Sequence, residues 1–223
     1  TRLSVDKITQ IAHRITNATP LTDWPAEWFE IQDTVRQRSL LLTEQFVPGS
    51  ALQKALIQGA DETLSAILQS GLCGRGGAGF NTGKKWQLCR EASGDAHYVV
   101  CNADEGEPGT FKDRFLLRDQ AEALFEGMTL CAFVIDAEKG FVYLRGEYRY
   151  LLPHLHTVLN QRRQQGLLGH AILGHANFHF DIEIVVGAGA YICGEESALI
   201  ESLESKPGIP RIRPPFPVTH GYL

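Results

Sequence analysis

Long apolar runs are missing from this sequence, and with them the ~18-residue stretch that crosses a bilayer as a helix. The opening TRLSVDKITQIAHRI lacks the basic flank, apolar stretch and small-residue cleavage site of a secretory signal. Both absences lead to the expectation of a soluble chain. Cysteine is scarce: Cys73, Cys89, Cys101, Cys131 and Cys193 are the only five in 223 residues. No C-x-x-C occurs, which disfavours zinc ribbons and locally ligated iron–sulfur clusters. An odd number of scattered thiols suits a reducing, cytoplasmic compartment better than a disulfide scaffold. Positive charge is not in excess either. The formal net charge of −5 gives no electrostatic reason to expect nucleic acid or direct membrane insertion. His154, His156, His170, His175 and His179 match no metal-ligand spacing with a supporting carboxylate, so no metal site is assigned.

What the chain does have is a 43% hydrophobic fraction, enough to bury a core, and 22 glycines gathered in a few places. Residues 1–70 are glycine-poor and helix-like, and 1–60 are expected to form a helical N-terminal arm, with Val5, Ile8, Ile11, Ala12 and Ile15 at helical spacing. The stretch NATPLTDWPAEW reads as a surface connection, and Ser50 as the cap of a helix through Leu52, Ala55 and Leu56. Leu64, Ile67, Leu68 and Leu72 continue a helix face up to the first glycine cluster. Beyond it come three strand candidates: His97–Cys101, Gly140–Arg145 and Phe180–Val186. Helical segments from Arg114 to about Asp136 and from Tyr148 to about Gln165 separate them. This alternation predicts an α/β domain over 61–223, a parallel sheet with helices on its faces.

Four stretches carry chemistry. The first runs Gly74-Arg75-Gly76-Gly77-Ala78-Gly79-Phe80 and on through Lys84 and Lys85 to Trp86. Glycines at this density let backbone N–H groups approach a flat or phosphorylated ligand. A GxxxxGK[ST] phosphate loop needs glycine at 78 and Ser or Thr at 85; Ala78 and Lys85 exclude it. Gly74, Gly76 and Gly79 satisfy GxGxxG, but a helical segment precedes them instead of the strand that fingerprint requires. The second stretch, Asn102 to Thr110, ends the first strand with Asp104, Glu105 and Glu107. It reads as a ribose or ribityl acceptor, a Mg²⁺ site or an exposed acidic turn. The third, Gly187 to Ser197, has the strand–glycine loop–helix order, with Glu195 and Glu196 in the first helical turn. Those acids serve either the helix dipole or a ligand wall. Cys193 reads as a packed thiol. The fourth, Pro210 to Pro217, is stiffened by prolines and presents Arg211, Arg213 and Phe216 to a pyrophosphate and adenine, or to a partner surface.

Together these stretches resemble one family. GRGGAGF-x-TG-x-KW, CNADEGEPGTFKDR, GAGAYICGEE and PR-x-(K/R)-PPFP, in this order over about residues 60–223, are similar to the flavin-bearing NADH-oxidising subunit of respiratory complex I and its relatives. Within that family, TRL-x-x-x-KIT, KW-x-L-C, YLRGEY and FPV-x-x-GYL most resemble the diaphorase branch, the flavoprotein (alpha) subunit of soluble NAD-reducing [NiFe]-hydrogenases. The resemblance implies a Rossmann-like α/β fold, FMN and NAD(H) as cofactors, and hydride transfer between nicotinamide and flavin N5 with no protein acid or base. It implies that Gly74, Arg75, Gly76, Gly77, Gly79, Lys85, Asn102, Asp104 and Glu105 hold FMN, with Tyr191, Gly194, Glu195 and Glu196 nearby. Phe80, Glu107, Glu196 and Phe216 would contact NAD(H), Glu107 and Glu196 orienting the nicotinamide. The expected partners are an iron–sulfur electron-transfer subunit and the hydrogenase subunits. The [4Fe–4S] and [2Fe–2S] clusters, a β-grasp-like domain and the rest of the flavin pocket would lie in parts of the subunit outside this sequence. The complex I subunit itself and a catalytically silent docking module are the alternatives. Cys73, Asn81, Leu88 and Arg213 depart from the family pattern (Arg, Pro, an aromatic and Lys), which bears most on adenine binding.

Overall fold

The structure, a computed structural model, describes residues 4–28 and 46–222; residues 1–3 of the TRL motif and Leu223 lie outside these. The chain divides into two compact units, Thr1–Ser39 and Leu40–Leu223. In the first, helix α1 spans Val5–Thr16, and the Ser4 hydroxyl accepts the Lys7 N–H at 3.2 Å to start it. Its apolar stripe follows the expected spacing, yet none of its residues is buried. The proline-bearing connection folds into two 3₁₀ turns, Leu21–Asp23 and Ala26–Trp28, with Lys7 and Arg14 over the Trp28 ring.

The second unit is built, among the described residues, on three strands, β1 (His97–Ala103), β2 (Ala137–Leu144) and β3 (Asp181–Val186). They pair in parallel in the order β1-β2-β3. Seven described helices belong to it: α2 (Ser50–Gln58), α3 (Ala60–Gln69), α4 (Thr82–Arg90), α5 (Lys112–Asp119), α6 (Ala121–Ile135), α7 (Leu152–Gln164) and α8 (Glu196–Leu203). Parallel pairing forces each connection to cross the sheet, and α5, α6 and α7 make those crossovers. Phe125, Val142, Leu144, Leu155, Leu159 and Phe180 form the centre of the core.

Several expected boundaries shift. α2, which the expected arm to residue 60 includes, buries Leu52 and Ala55, and Leu52 joins the core of the sheet-bearing unit. Ser50 is not the cap of α2. Gly49 holds that position with φ +83°, and the carboxylate of Glu126 on α6 accepts the N–H groups of Gly49 (2.5 Å), Ala51 (2.9 Å) and Leu52 (3.0 Å). Glu126 in turn meets Arg162 at 3.4 Å, and Arg162 reaches Glu122 at 2.8 Å. A buried anion thus caps a helix that lies 74 to 77 residues away in sequence.

The α3 helix ends before Leu72. The helix expected from Arg114 to Asp136 is two, broken at Gln120. The charged α5 buries only Leu117, whereas α6 is apolar around most of its girth and buries nine residues, so one straight axis cannot serve both. The segment expected to be helical from Tyr148 starts as a 3₁₀ turn, Gly146–Leu151, and α7 follows with Pro153 in its first turn, where no N–H is needed. Among the described residues no helix is long and apolar enough to cross a membrane.

Candidate functional site

The glycine-rich stretch after α3 is a lasso. Two antiparallel bonds close it, Gly74 N–H to the Phe80 carbonyl (2.9 Å) and Thr82 N–H to the Leu72 carbonyl (2.8 Å). Among the described residues, the N–H groups of Gly76, Gly77, Ala78 and Gly79 have no hydrogen-bond partner, and all four residues are exposed. Asn81 ends the lasso and starts α4, its side-chain oxygen accepting the Lys84 N–H at 2.8 Å. Gly83 lets α4 cross α3 closely: a Cβ there would lie 2.8 Å from the backbone nitrogen of Leu68. That crossing carries Lys85 towards α8, where its ammonium meets Glu196 at 2.9 Å.

The acidic turn leaves the carboxyl end of β1, where ligands of open parallel sheets bind. Asn102 donates to the Gly194 carbonyl (2.8 Å) and accepts the Asp104 N–H (3.2 Å). Asp104 is only 8% exposed, and its Oδ2 is buried with no hydrogen-bond partner. Burial pushes its pKa up and Glu147 adds to this, with Arg145 opposing. Glu105 is different, because both of its oxygens are engaged by the protein. Oε1 accepts the Asp113 N–H (3.0 Å) and Oε2 the Tyr148 hydroxyl (2.6 Å), while the Arg145 guanidinium donates to the Glu105 carbonyl. Burial, then the Glu105 carboxylate, push the Tyr148 phenol far above its ordinary value. Glu105 therefore braces the turn, whereas Asp104 Oδ2 has no such partner.

The loop after β3 enters a 3₁₀ turn, Tyr191–Gly194, before α8 begins. Glu195 is the N-cap of α8 and lies outside its first turn. Its Oε2 accepts the N–H groups of Ser197 and Ala198, each at 3.0 Å, and the Ser197 hydroxyl at 2.5 Å. Burial pushes this carboxyl up, but the Ser197 hydroxyl, the two N–H groups and Arg213 outweigh it and hold the pKa low. Gly106 packs under Tyr191, where a Cβ would come within 3.1 Å of the ring. The Tyr191 hydroxyl donates to Glu107 at 2.5 Å, and that bond pushes the phenol's pKa up.

The proline-rich segment presents one guanidinium group to the site. Arg211 is held internally by Glu201 (2.5 Å) and Glu204 (3.0 Å). Arg213 reaches Glu196 (3.2 Å) and Glu195 (3.6 Å). Phe80 and Phe216 are about half exposed, and Arg75 is exposed.

The four stretches singled out from the sequence are thus joined to one another: Lys85 to Glu196, Asn102 to Gly194, Glu107 to Tyr191, and Arg213 to Glu196 and Glu195. Lys85, Asn102 and Glu196 also line a cavity of about 570 Å³, otherwise walled by apolar residues including Trp86, Tyr98, Met128 and Leu199. Its size is that of a small-molecule site. Sequence reasoning did not anticipate Arg145 and Tyr148, which brace Glu105. Their only signal was the YLRGEY run. Ser197, the partner of Glu195, gave none. All five cysteines are free thiols, and burial pushes Cys101 up to about 12, so it is no nucleophile.

Glycine-rich loops, cations and carboxylates on the segments that flank a parallel sheet define an α/β domain of the open-sheet, ligand-binding kind. More particularly, the chain belongs to the Nuo51 FMN-binding domain family, whose match covers residues 67–223. It is 57% identical over 174 residues to the alpha subunit of the NAD-reducing hydrogenase HoxS of Cupriavidus necator, covering 78% of this chain and 29% of that one. It is 48% identical over 172 residues to the F 2 subunit of the NADH-quinone oxidoreductase of Rhizobium meliloti, covering 77% of this chain and 41% of the relative. Among solved structures, an NAD⁺-reducing [NiFe]-hydrogenase in the H₂-reduced state superposes with a TM-score of 0.88 at 45% identity, over 99% of this chain and 38% of that one. The chain therefore spans well under half the length of these relatives.

The residues present fit FMN. A phosphate needs N–H donors and a cation, which the lasso and Lys85 supply. Ribityl hydroxyls need acceptors, and Asp104 Oδ2 and Glu195 Oε1 are buried without a hydrogen-bond partner. A Cβ at Gly76, Gly77 or Gly79 would meet nothing within 4 Å, so no other part of the protein packs on the lasso there.

Proposed function

We propose that this chain is the FMN- and NAD(H)-binding part of a diaphorase subunit, of the kind that serves an NAD-reducing hydrogenase in the cytoplasm. The observation that carries the reading is the buried, unpartnered Oδ2 of Asp104 at the end of β1, supported by the free lasso donors and by Lys85, which reaches Glu196 on α8. Bound FMN would supply two-electron exchange with nicotinamide and one-electron exchange with iron–sulfur clusters. The protein's part is to bind and orient. Lys85 and the N–H groups of residues 76–79 hold the phosphate, with Gly74 and Arg75 at the lasso's start. Asp104 and Glu195 accept ribityl hydroxyls, and Asn102 fixes the Gly194 wall against the acidic turn. Glu107, held by Tyr191, and Glu196 orient the nicotinamide, while Phe80 and Phe216 offer rings to the adenine. None of these residues needs to gain or lose a proton.

The clusters, [4Fe–4S] and [2Fe–2S], would belong to other parts of the same subunit. Its partners would be an iron–sulfur subunit and the [NiFe] subunits. The higher identity to the hydrogenase alpha subunit than to the quinone oxidoreductase subunit supports this branch. The test is an anaerobic visible spectrum of the complete subunit before and after NADH. Flavin bands near ~450 nm that bleach on adding NADH are expected. A protein that stays colourless after FMN is added, and is indifferent to NADH, would overturn the proposal.

A further inference from the structure

The Glu196 carboxylate is shared between two cations from distant parts of the chain. Its Oε2 lies 2.9 Å from Lys85 Nζ on α4, and its Oε1 lies 3.2 Å from Arg213 Nη1 in the proline-rich segment. Glu195 cannot replace it. One Glu195 oxygen is held by Ser197 and Ala198, and the other lies 3.6 Å from Arg213. The three side chains of the bridge are each between a third and about half exposed, at 52% for Lys85, 37% for Glu196 and 41% for Arg213. Ion pairs this exposed are weak, whereas a phosphoryl group offers several strong acceptor oxygens to the same donors.

We propose that Glu196 is a built-in counter-anion, which a phosphoryl oxyanion of the ligand displaces from Lys85 or Arg213. This deepens the proposed function and rests on it. Displacement does two things. It gives the phosphoryl group a cation that is already in position and partly neutralised before binding. It also releases Glu196 to turn towards the nicotinamide, so that binding of the phosphorylated end prepares the end where hydride moves. Where the phosphoryl group takes Lys85, Arg213 is a positioning residue acting through Glu196; where it takes Arg213, that side chain is itself a binding residue. Lys85 lies on α4, which follows the lasso in the chain, and Arg213 on the proline-rich segment, so the two can answer to different phosphoryl groups: the single phosphate of FMN or the pyrophosphate of NADH.

The test compares ligands with and without phosphate on the complete subunit stripped of flavin. Fluorescence titration gives the riboflavin-to-FMN ratio of dissociation constants for wild type, Glu196→Gln and Arg213→Gln. With flavin restored, the same ratio is taken for reduced nicotinamide riboside against NADH. Glu196→Gln is expected to raise at least one ratio by about two- to fivefold, the factor an exposed ion pair is worth. A rise in the flavin ratio identifies the FMN phosphate as the displacing group, and a rise in the nicotinamide ratio identifies the pyrophosphate. Any direct interaction of Glu196 with the flavin or nicotinamide ring cancels in each ratio. Arg213→Gln leaves Glu196 wholly to Lys85 and is expected to lower the flavin ratio. Ratios for Glu196→Gln that match wild type in both arms overturn the counter-anion. A wild-type subunit that binds no FMN would overturn the proposed function instead. The bridge is then judged with inorganic pyrophosphate alone: tighter calorimetric binding to Glu196→Gln than to wild type supports it, and equal binding overturns it.

Discussion

Asp104 is the residue where stability and function pull apart. It is nearly buried, one carboxylate oxygen lacks a partner, and burial raises its pKa. An acid whose folded pKa lies above its unfolded value favours folding fully only below the unfolded value. That advantage is lost as pH rises through the folded pKa. At pH 7 the ionised side chain therefore weighs against the fold, and Asp104→Asn relieves it. Without flavin the variant is expected to be more stable than wild type at pH 7 by about 1 kcal/mol, the scale of a buried unsatisfied group. The gap should close as pH falls through the raised pKa, and flavin affinity should drop at neutral pH. Thermal melts of both proteins at pH 7 and pH 4 would check this; a gap independent of pH would remove the titration from the explanation. Residues joined over short spans were legible in the sequence: the lasso, the acidic turn and the second glycine loop all stood out by spacing alone. The bridge of Lys85, Glu196 and Arg213 was not, since its partners lie 111 and 17 positions apart and surface charges carry no mark of whom they meet.

Among the elements, the three strands were the most legible, because β-branched runs ending at glycine or acidic turns have few other readings. Helix starts were the least so. Ser50 is an ordinary capping residue by local rules, and only the fold reveals that Glu126 caps α2 from α6. That carboxylate faces three backbone donors and the fully buried Arg162. Removing its charge weakens four interactions at once and leaves Arg162 with Glu122 as its remaining charged partner. Breaking a buried pair of this kind costs about 3–5 kcal/mol. Glu126→Gln keeps the shape and some hydrogen bonding, so a loss of about 2–4 kcal/mol is expected, read from urea transitions of unchanged slope. A loss under about 0.5 kcal/mol, the ordinary range of surface substitutions, would show that α2 is held by packing alone.

At the scale of the whole chain, the parallel order β1-β2-β3 explains why motifs far apart in sequence meet: every strand delivers its following loop to the same edge. The sequence order of strands and helices made that much predictable. Where the sheet-bearing unit begins was less so, because glycine content changes near residue 70 while burial changes earlier. Leu52 is fully buried, and α2 supplies the donors that Glu126 accepts. A chain beginning at residue 40 keeps both, and is expected to unfold in one cooperative urea transition. A chain beginning at residue 61 loses the three N–H groups and opens the core where Leu52 sat. A buried leucine alone is worth about 2–5 kcal/mol, and the orphaned Glu126 adds to that, against a total stability of only about 5–15 kcal/mol. The shorter chain is therefore expected to show a broad transition at much lower urea, or none. If both chains unfold at the same midpoint, the functional domain begins at 61, and α2 belongs to the arm that precedes it.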